Sequence, residues 1–497
     1  MINFNLWSNS VAIIALVIIA PIFSIFYYAI LGDTSLWPHL FSTVLPRYLT
    51  NTIILMFGVG GLSLVFGLTT AWIVTRYNFF GKKFFEWMLL LPAAVPAYII
   101  AYTYTDFFEY AGPLQSLLRD IFGWTSSKDY WFPNVRSMGG AILVMSSVLY
   151  PYVYLMTRAS FITTPISFFQ TSSIYGRNSF FNVAIPFGRP GIIAGLALVL
   201  METISDFGTV DYFAIETLTL GVFNVWLGMN SLSGASQISS ILFMIVIVLL
   251  TLEYLGRRSR KFHEKYSGAS YTPTQTVSGI KNSLLFLICL IPLSLGFIIP
   301  VSILLNFVIK GYSIINFIEI FQITLSSISL AFISSSFIML LSLLMIIVGA
   351  YKSNNFQKIL IFFASSGYAF PGTILAVGIV VFVGWLNDLI YFRMSYAVGG
   401  FIILLFAYSI RFLAVGNGAI TSGISRIHPN LLDASRTMGV SFFKSIRKII
   451  LPLLYTNLLV GGILVFVDIL KELPITLLLR PFNFETLATY VYQYASD

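Results

Sequence analysis

Four carboxylates beside long apolar runs are the side chains of this sequence best placed to act on a charged substrate. Glu202 and Asp206 end one apolar run, and Asp468 and Glu472 end another with the same spacing. Residues four apart lie on one face of a helix, and Glu202 would lie about 18 Å from the start of its helix. A carboxylate at that depth of a membrane costs a few kcal/mol and seldom faces lipid. We therefore predict that the four acids line a central cation path; a structural role, with Lys471 pairing with an acid, is the alternative.

The other residues that commonly do chemistry form no recognisable site. The three histidines, His39, His263 and His428, are far apart in sequence, and the single cysteine, Cys289, lies within an apolar run. Zinc sites need several such ligands together. No G-x-x-x-x-G-K-[ST] motif occurs, so the chain carries no P-loop for ATP. We expect no catalytic residue and no cofactor, and the sequence identifies no set of metal ligands.

The composition excludes a soluble protein. Hydrophobic residues make up 58% of the 497 residues and charged residues only 9%, whereas soluble domains carry about 25% charged residues. Apolar runs of roughly 20 residues suit membrane-spanning helices, while barrel strands need about 10 alternating residues. An all-α membrane protein is predicted, with eleven spans near 10–31, 50–75, 86–106, 138–157, 190–206, 237–255, 283–309, 323–350, 359–384, 397–417 and 452–470.

The positive charges set the predicted orientation. With a cytoplasmic N-terminus, 20 of the 28 lysines and arginines fall on the inner side, as the positive-inside rule requires. The net charge of +9 is then explained by contact with the anionic inner leaflet of the lipid bilayer. We expect a multi-pass membrane protein and no nucleic-acid partner.

An internal repeat relates the two acidic runs. Residues 186–208 align without a gap with residues 452–474, so that Gly195 falls on Gly461 and each acid falls on an acid. A second match follows, because an E-T-L motif occurs at 216–218 and again at 485–487. The two copies are therefore predicted to share one local fold.

A polar linker divides the chain into two predicted halves. Residues 256–281 are basic and then rich in serine and threonine, which is typical of a connecting segment. This predicts a first half at 1–255, a cytoplasmic linker, and a second half at 282–497. Six spans precede the linker, so the halves are parallel repeats of about six helices each. A counterpart of the sixth span is missing before Asp497, so the last helix of the second half is expected to be absent.

The stretch 425–452 lies on the cytoplasmic side by the charge count. Leu431–Met438 is predicted to form a short helix, which Gly439 ends by taking a left-handed conformation. Beyond the glycine, apolar residues recur at helical spacing with basic residues on the other faces. From the residues alone, an amphipathic docking surface and an ordinary basic loop are equally good interpretations.

This stretch resembles the EAA loop of binding-protein-dependent ABC importer permeases, whose pattern is E-A-A, three residues, G, nine residues, I-x-L-P. The matching residues are Asp433-Ala434-Ser435, Gly439, Ile449, Leu451 and Pro452, with Asp in place of Glu and Ser in place of the second Ala. The first half carries a degraded counterpart in Gln170-Thr171-Ser172 and Gly176. Residues 199–213 and 471–492 look like the fused permeases of the ferric-iron importer branch.

The resemblance implies a type I importer fold and a separate ATP-binding cassette ATPase, a homodimer, that docks on Gly176, Asp433, Ala434, Ser435 and Gly439. It also implies a periplasmic substrate-binding protein, a place in the bacterial inner membrane, and ferric iron as the transported substrate. A closely similar branch handles thiamine, so a permease for thiamine or another small cation is the alternative. A secondary transporter, which needs no ATPase, is a third interpretation.

Overall fold

The computed structural model describes residues 6–257, 275–311, 316–351, 355–390, 396–425, 427 and 430–496. These residues are mostly helical, so the prediction of an all-α membrane protein is confirmed. Strand structure in the described part is confined to β1 (Tyr77–Asn78) and β2 (Gln275–Thr276), which pair in parallel. Most of the predicted linker, residues 258–274, lies outside the described residues.

The described helices have the following bounds. In chain order the α-helices are α1 (Leu6–Leu31), α2 (Trp37–Ser42), α3 (Leu45–Arg76), α4 (Lys82–Met88), α5 (Ala97–Phe108), α6 (Pro113–Phe122), α7 (Met138–Ile162), α8 (Ile166–Ile174), α9 (Ile185–Ser205), α10 (Gly208–Tyr212), α11 (Leu218–Phe223), α12 (Leu232–Arg257), α13 (Ile280–Leu293), α14 (Ile299–Gly311), α15 (Phe317–Tyr351), α16 (Asn355–Ala364), α17 (Gly372–Ile390), α18 (Tyr396–Ile424), α19 (Asn430–Thr437), α20 (Phe442–Ser445), α21 (Leu451–Lys471), α22 (Pro474–Leu479) and α23 (Leu487–Ser496). Turns of 3₁₀ helix occur at Leu91–Ala94 and Gly367–Ala369, and π-helical turns at Phe180–Ala184, Asn224–Gly228, Ser294–Ile298 and Ile446–Ile450.

Among the described residues, nine helices are long and apolar enough to cross a membrane, and a tenth span results if one bent pair crosses as a unit. The spans predicted at 190–206 and 452–470 are longer than expected, at Phe180–Ser205 and Phe442–Lys471. Each of these longer spans includes a π-helical turn close to its beginning. The helix predicted after Gly439 is therefore the first part of the final predicted span.

The third predicted span of each half is broken at proline. In the first half, Lys82–Ala94 and Ala97–Phe122 meet at 89°, around a 3₁₀ turn and Pro96. In the second half, a 3₁₀ turn and Pro371 separate α16 from α17. Proline has no N–H to continue the helical hydrogen bonds. The predictions of one continuous helix at 86–106 and at 359–384 are therefore wrong.

One compact unit, called unit 1, comprises Met1–Ser35, Val222–Ile241 and Asn316–Tyr494. In this unit α1, which opens the first half, packs against α16 and α17 of the second half. The Ser24 hydroxyl donates a hydrogen bond to the Gly378 carbonyl in α17 at 2.8 Å. Gly378 permits this approach, because a Cβ there would lie only 2.4 Å from the Pro21 carbonyl oxygen.

The other compact unit, unit 2, comprises Leu36–Gly221, Leu242–Ile315 and Ala495–Asp497. Here α13 and α14, which open the second half, pack against α3 and α5 of the first half. The Tyr104 hydroxyl donates to the Leu295 carbonyl at 2.5 Å, and Cys289 is buried in the core. Each unit thus combines the opening helix of one half with later helices of the other half.

The contact between α1 and α17 predicts opposite effects for two glycine substitutions in α17. Gly378→Ala should destabilise the protein by about 1–3 kcal/mol, because the added methyl group overpacks against Pro21. Gly384→Ala has nothing within 4 Å of the new Cβ, and should be neutral or stabilising by up to about 1 kcal/mol, since alanine is the better helix former. Thermal unfolding of both purified variants in one detergent measures the contrast. Equal melting temperatures would contradict the packing of α1 on α17.

Candidate coupling loops and intramembrane acids

The second-half loop has the helix and glycine turn that its sequence predicts. Helix α19 is followed by Gly439, whose φ is +74°, so the predicted left-handed glycine is confirmed. The Val440 N–H donates to the Ser435 carbonyl at 3.0 Å, which closes the helix end. Ser435 is fully buried, and its hydroxyl lies 2.7 Å from the hydroxyl of Ser445 in α20. This hydroxyl pair holds the short helix against the start of the following span.

The first-half loop has the same backbone geometry although its sequence differs. Helix α8 is followed by Gly176, whose φ is +64°. The Arg177 N–H donates to the Ser172 carbonyl at 2.9 Å, the bond that Val440 makes in the second half. Ser172 is buried, and the Ser179 hydroxyl lies 3.4 Å from its hydroxyl. The first half therefore has the same glycine turn although its sequence does not match E-A-A.

Both loops present a large exposed side chain immediately before the glycine. Tyr175 is 75% exposed and Met438 is 73% exposed. Neither glycine has an atom within 4 Å of the position that a Cβ would take. The two turns are therefore open surfaces, and each presents a large exposed side chain of the kind that contributes to protein interfaces.

The predicted docking residues divide between the surface and the interior of the loops. Ala434, Gly439 and Gly176 are exposed, whereas Ser435 is buried and holds its loop together. The side chain of Asp433 lies outside the described residues. The docking role of all five residues stays a prediction.

The first acid pair lies at the end of α9 in unit 2. Glu202 is half-buried in the last turn of α9, and Asp206 is the first residue after the helix. The Asp206 carboxylate accepts hydrogen bonds from the Thr209 N–H at 2.7 Å and from the Thr209 hydroxyl at 2.9 Å. A carboxylate in this position caps the beginning of a helix, here α10. Asp206 thus stands just beyond the helix that was predicted to carry both acids.

The second acid pair lies at the end of α21 in unit 1. Asp468 is 3.7 Å from Lys471, one turn further along the same helix, and both are partly exposed. Glu472 is buried and forms an ion pair at 3.2 Å with Arg411 of α18, which is also buried. Its carboxylate accepts the Ile475 N–H at 3.3 Å at the start of α22. Each unit therefore holds one of the two acid pairs.

Arg411 is the residue of this site that the sequence analysis missed. Its guanidinium also donates to the Phe370 carbonyl at 3.1 Å, at the break before α17. A Cβ at Gly372, the first residue of α17, would lie 2.8 Å from the Glu472 carboxylate. The positive-inside rule counts this arginine among the charges of the inner side and therefore does not predict a buried carboxylate partner for it. Its place within an apolar run was the available signal, because a buried arginine needs a partner.

The repeated E-T-L motif makes matching contacts in the two units. In unit 2 the Leu218 N–H donates to the Thr52 hydroxyl at 3.0 Å. In unit 1 the Leu487 N–H donates to the Ser327 hydroxyl at 2.7 Å. The glutamate of each motif forms an ion pair with an arginine. The sequence repeat thus corresponds to a repeat of local structure.

The long apolar helices of the described residues are those of a multi-pass membrane protein. No model of a protein family matches the sequence. The chain is 25% identical over 471 residues to the Fe(3+)-transport system permease protein FbpB 2 of Haemophilus influenzae, an alignment that covers 92% of this chain and 86% of that protein. It is 23% identical over 459 residues to the ferric transport system permease protein FbpB of Actinobacillus pleuropneumoniae, covering 85% and 63%.

A third relative is shorter. The molybdenum transport system permease protein ModB of Haemophilus influenzae is 28% identical over 211 residues, which is 40% of this chain and 88% of ModB. Together with the EAA-like loop, these similarities identify the chain as a permease subunit of an ABC importer that resembles the ferric branch. It is a transport subunit and not an enzyme.

The buried ion pair predicts that Asp468, within α21, and Glu472, at its end, contribute differently to the stability of the protein. Glu472→Gln leaves Arg411 buried without its carboxylate and should cost about 3–5 kcal/mol. Asp468→Asn removes a partly exposed pair with Lys471 and should cost less than about 1 kcal/mol. Membrane abundance and thermal unfolding of the purified variants give the two values.

A double variant separates the ion pair from general damage. Removing both charges with Glu472→Gln and Arg411→Met should restore part of the lost stability, because no charge is then left unpaired. A double variant that is no more stable than Glu472→Gln alone would contradict the structural role of the pair.

Proposed function

We propose that this chain forms the membrane path of an importer for ferric iron, which a periplasmic binding protein delivers to the outer face of the bacterial inner membrane. The observation that carries the proposal is similarity to two ferric-transport permeases over 85% and 92% of the chain. The molybdenum-transport relative is a shorter protein, whose alignment covers 40% of this chain and 88% of its own length. Hard cations prefer oxygen ligands, and carboxylates at the ends of two equivalent spans offer such oxygens.

In this proposal the N-terminus is cytoplasmic, and both glycine turns face the cytoplasm. There each turn docks on one subunit of a homodimeric ATPase, which supplies the energy for transport. The shared backbone geometry of the turns at Gly176 and Gly439 supports this arrangement, since two identical partner surfaces require two similar ligands. Tyr175 and Met438 are the side chains that would enter the ATPase surface.

We assign the cation path to Glu202 and Asp468. Asp206 binds the Thr209 N–H and hydroxyl, and Glu472 forms a buried ion pair with Arg411, so both of these carboxylates hold structure at a helix end. Asp468 pairs with Lys471 where both side chains are partly exposed. Glu202 and Asp468 are equivalent under the repeat and are half-buried. Transport requires attraction that is strong enough for entry and weak enough for release, and partly exposed carboxylates within the two equivalent helices suit that requirement.

The glycine turns predict a backbone test of coupling. Gly439→Val or Gly176→Val should leave membrane insertion intact but reduce substrate-stimulated ATPase activity and uptake together. A left-handed conformation costs most residues about 1–2 kcal/mol, which lowers the population of the docked turn by about five- to thirtyfold. Gly439→Asn is the matched control, because asparagine tolerates this conformation and space for a side chain is available.

Coupling in reconstituted vesicles with the partner ATPase is the measurement. The asparagine variant should retain most activity while the valine variant loses it. If both variants stimulate ATP hydrolysis at the parental rate, the loops do not couple the ATPase to this chain.

The assignment of the path predicts an uptake defect without loss of protein. Glu202→Gln and Asp468→Asn should each lower ferric-iron uptake, and the double variant should abolish it, because the attraction for the cation is lost while no buried arginine is left unpaired. Radioactive iron uptake and membrane abundance are measured on the same cells. Normal abundance with normal uptake in the double variant would refute the assignment, and saturable thiamine uptake in place of iron uptake would favour the alternative substrate.

A further inference from the structure

A cavity of about 480 Å³ in unit 2 is not used by the proposed transport function. One wall is a single face of α3 at its C-terminal end, with Thr69, Trp72 and Arg76, and it continues to Tyr77 of β1. A second wall is Asn178–Phe180, directly after the first-half glycine turn. The remaining walls are Gln275 of β2 and two residues of α13. Its volume is that of an ordinary small-ligand site.

The only charged side chain that lines this cavity in the described structure is an arginine, a donor, and the amide and hydroxyl groups of the lining can donate as well as accept. Arg76 is half-buried, lies over the ring of Phe169 at 5.1 Å, and has no carboxylate partner among the described residues. The Asn178 Oδ1 accepts the Phe180 N–H at 2.9 Å, so the group that this amide offers to a ligand is its NH₂. Just outside the cavity, the Lys281 ammonium lies 4.8 Å from the centre of the Tyr77 ring.

No acidic residue belongs to the lining of this cavity in the described structure. A guanidinium with neighbouring amide donors binds phosphate oxygens well, because charge-assisted hydrogen bonds from arginine are strong and directional. Trp72, Tyr77 and Phe180 add aromatic surface, which is common where membrane proteins meet lipid headgroups. The cavity therefore suits an anionic phosphate group that is attached to an apolar body.

The outer surface of α13 gives lipid a direct route to this cavity. Leu285 and Ile288 line it, while Leu284, Leu287 and Ile291 of the same helix are each more than half exposed. A chain that lies along the exposed face of α13 would place its headgroup beside Arg76. Basic pockets between spans at the cytoplasmic side of a membrane commonly hold anionic headgroups.

We propose that this cavity binds the phosphate ester of an anionic phospholipid, with Arg76 and Asn178 as its donors. The bound headgroup bridges the end of α3, the first-half glycine turn and the beginning of the second half. Lipid binding itself does not depend on the proposed function. An effect of the lipid on ATPase coupling rests on that function, because the turn at Gly176 would have to dock on the ATPase.

Native mass spectrometry of the purified full chain, titrated with phosphatidylglycerol or with phosphatidylcholine of the same acyl chains, tests the proposal without the ATPase. Phosphatidylglycerol should bind more tightly. Arg76→Gln should weaken the binding of phosphatidylglycerol about fivefold, because this is the change in affinity that one basic residue contributes near an anionic membrane surface. Arg189→Gln is the matched control, since this exposed arginine does not line the cavity, and it should leave binding unchanged.

A second variant tests the same site independently, in case the Arg76→Gln protein does not fold. Asn178→Asp keeps the Oδ1 that accepts the Phe180 N–H but replaces the donor with a negative charge, so it should weaken phosphatidylglycerol binding at least as much. Displacement of the lipid by excess inorganic phosphate would support the phosphate site and would show that free phosphate is a second ligand for it. Equal losses in Arg76→Gln and Arg189→Gln, parental binding by Asn178→Asp, or equal binding of the two lipids would overturn the proposal.

Discussion

Backbone groups in the apolar part of a membrane have no water to bind, so every break in a spanning helix must be satisfied by the protein. The ion pair between Arg411 and Glu472 meets this constraint at two breaks together. The arginine binds the Phe370 carbonyl before α17, and the glutamate binds the Ile475 N–H at the start of α22. Arg411 and Glu472, either of which would destabilise the protein if it were buried alone, thus connect α18 to the starts of α17 and α22 in unit 1. The absence of a side chain at Gly372 leaves room for the carboxylate.

The two copies of the repeat make equivalent hydrogen bonds with different side chains. A hydroxyl receives the N–H of the E-T-L leucine in both copies, but it belongs to Thr52 in one and to Ser327 in the other. A buried serine stabilises each glycine turn, although only one turn keeps an EAA-like sequence. The two copies of the repeat therefore agree more closely in backbone geometry than in residue identity. Such divergence is expected when one chain carries both copies, because each can adjust to its own neighbours.

The sequence predicts the features that depend on local chemistry. Apolar length indicates the spans, and the place of Gly439 between two helical patterns indicates its left-handed turn, as the structure confirms. The breaks at Pro96 and Pro371 were also foreseeable, because proline cannot continue a helix; hydropathy averaged over a window concealed them. The exchange of opening helices could not be foreseen, since it depends on which distant surfaces pack together. The contact of Ser24 with Gly378 joins residues that no local pattern relates.

The acids show why residue type alone is an insufficient guide to function. The four acids form two pairs of equivalent positions under the repeat and carry the same charge, but their surroundings give the two pairs different roles. Asp206 and Glu472 follow the last residue of a helix and use their oxygens on the backbone of the next one. Glu202 and Asp468 lie one turn earlier, within the helices, where backbone N–H groups are already bonded and a carboxylate has no helix end to cap. The position of an acid relative to a helix end therefore separates structural acids from candidates for substrate attraction, and the repeat supplies that separation twice in one chain.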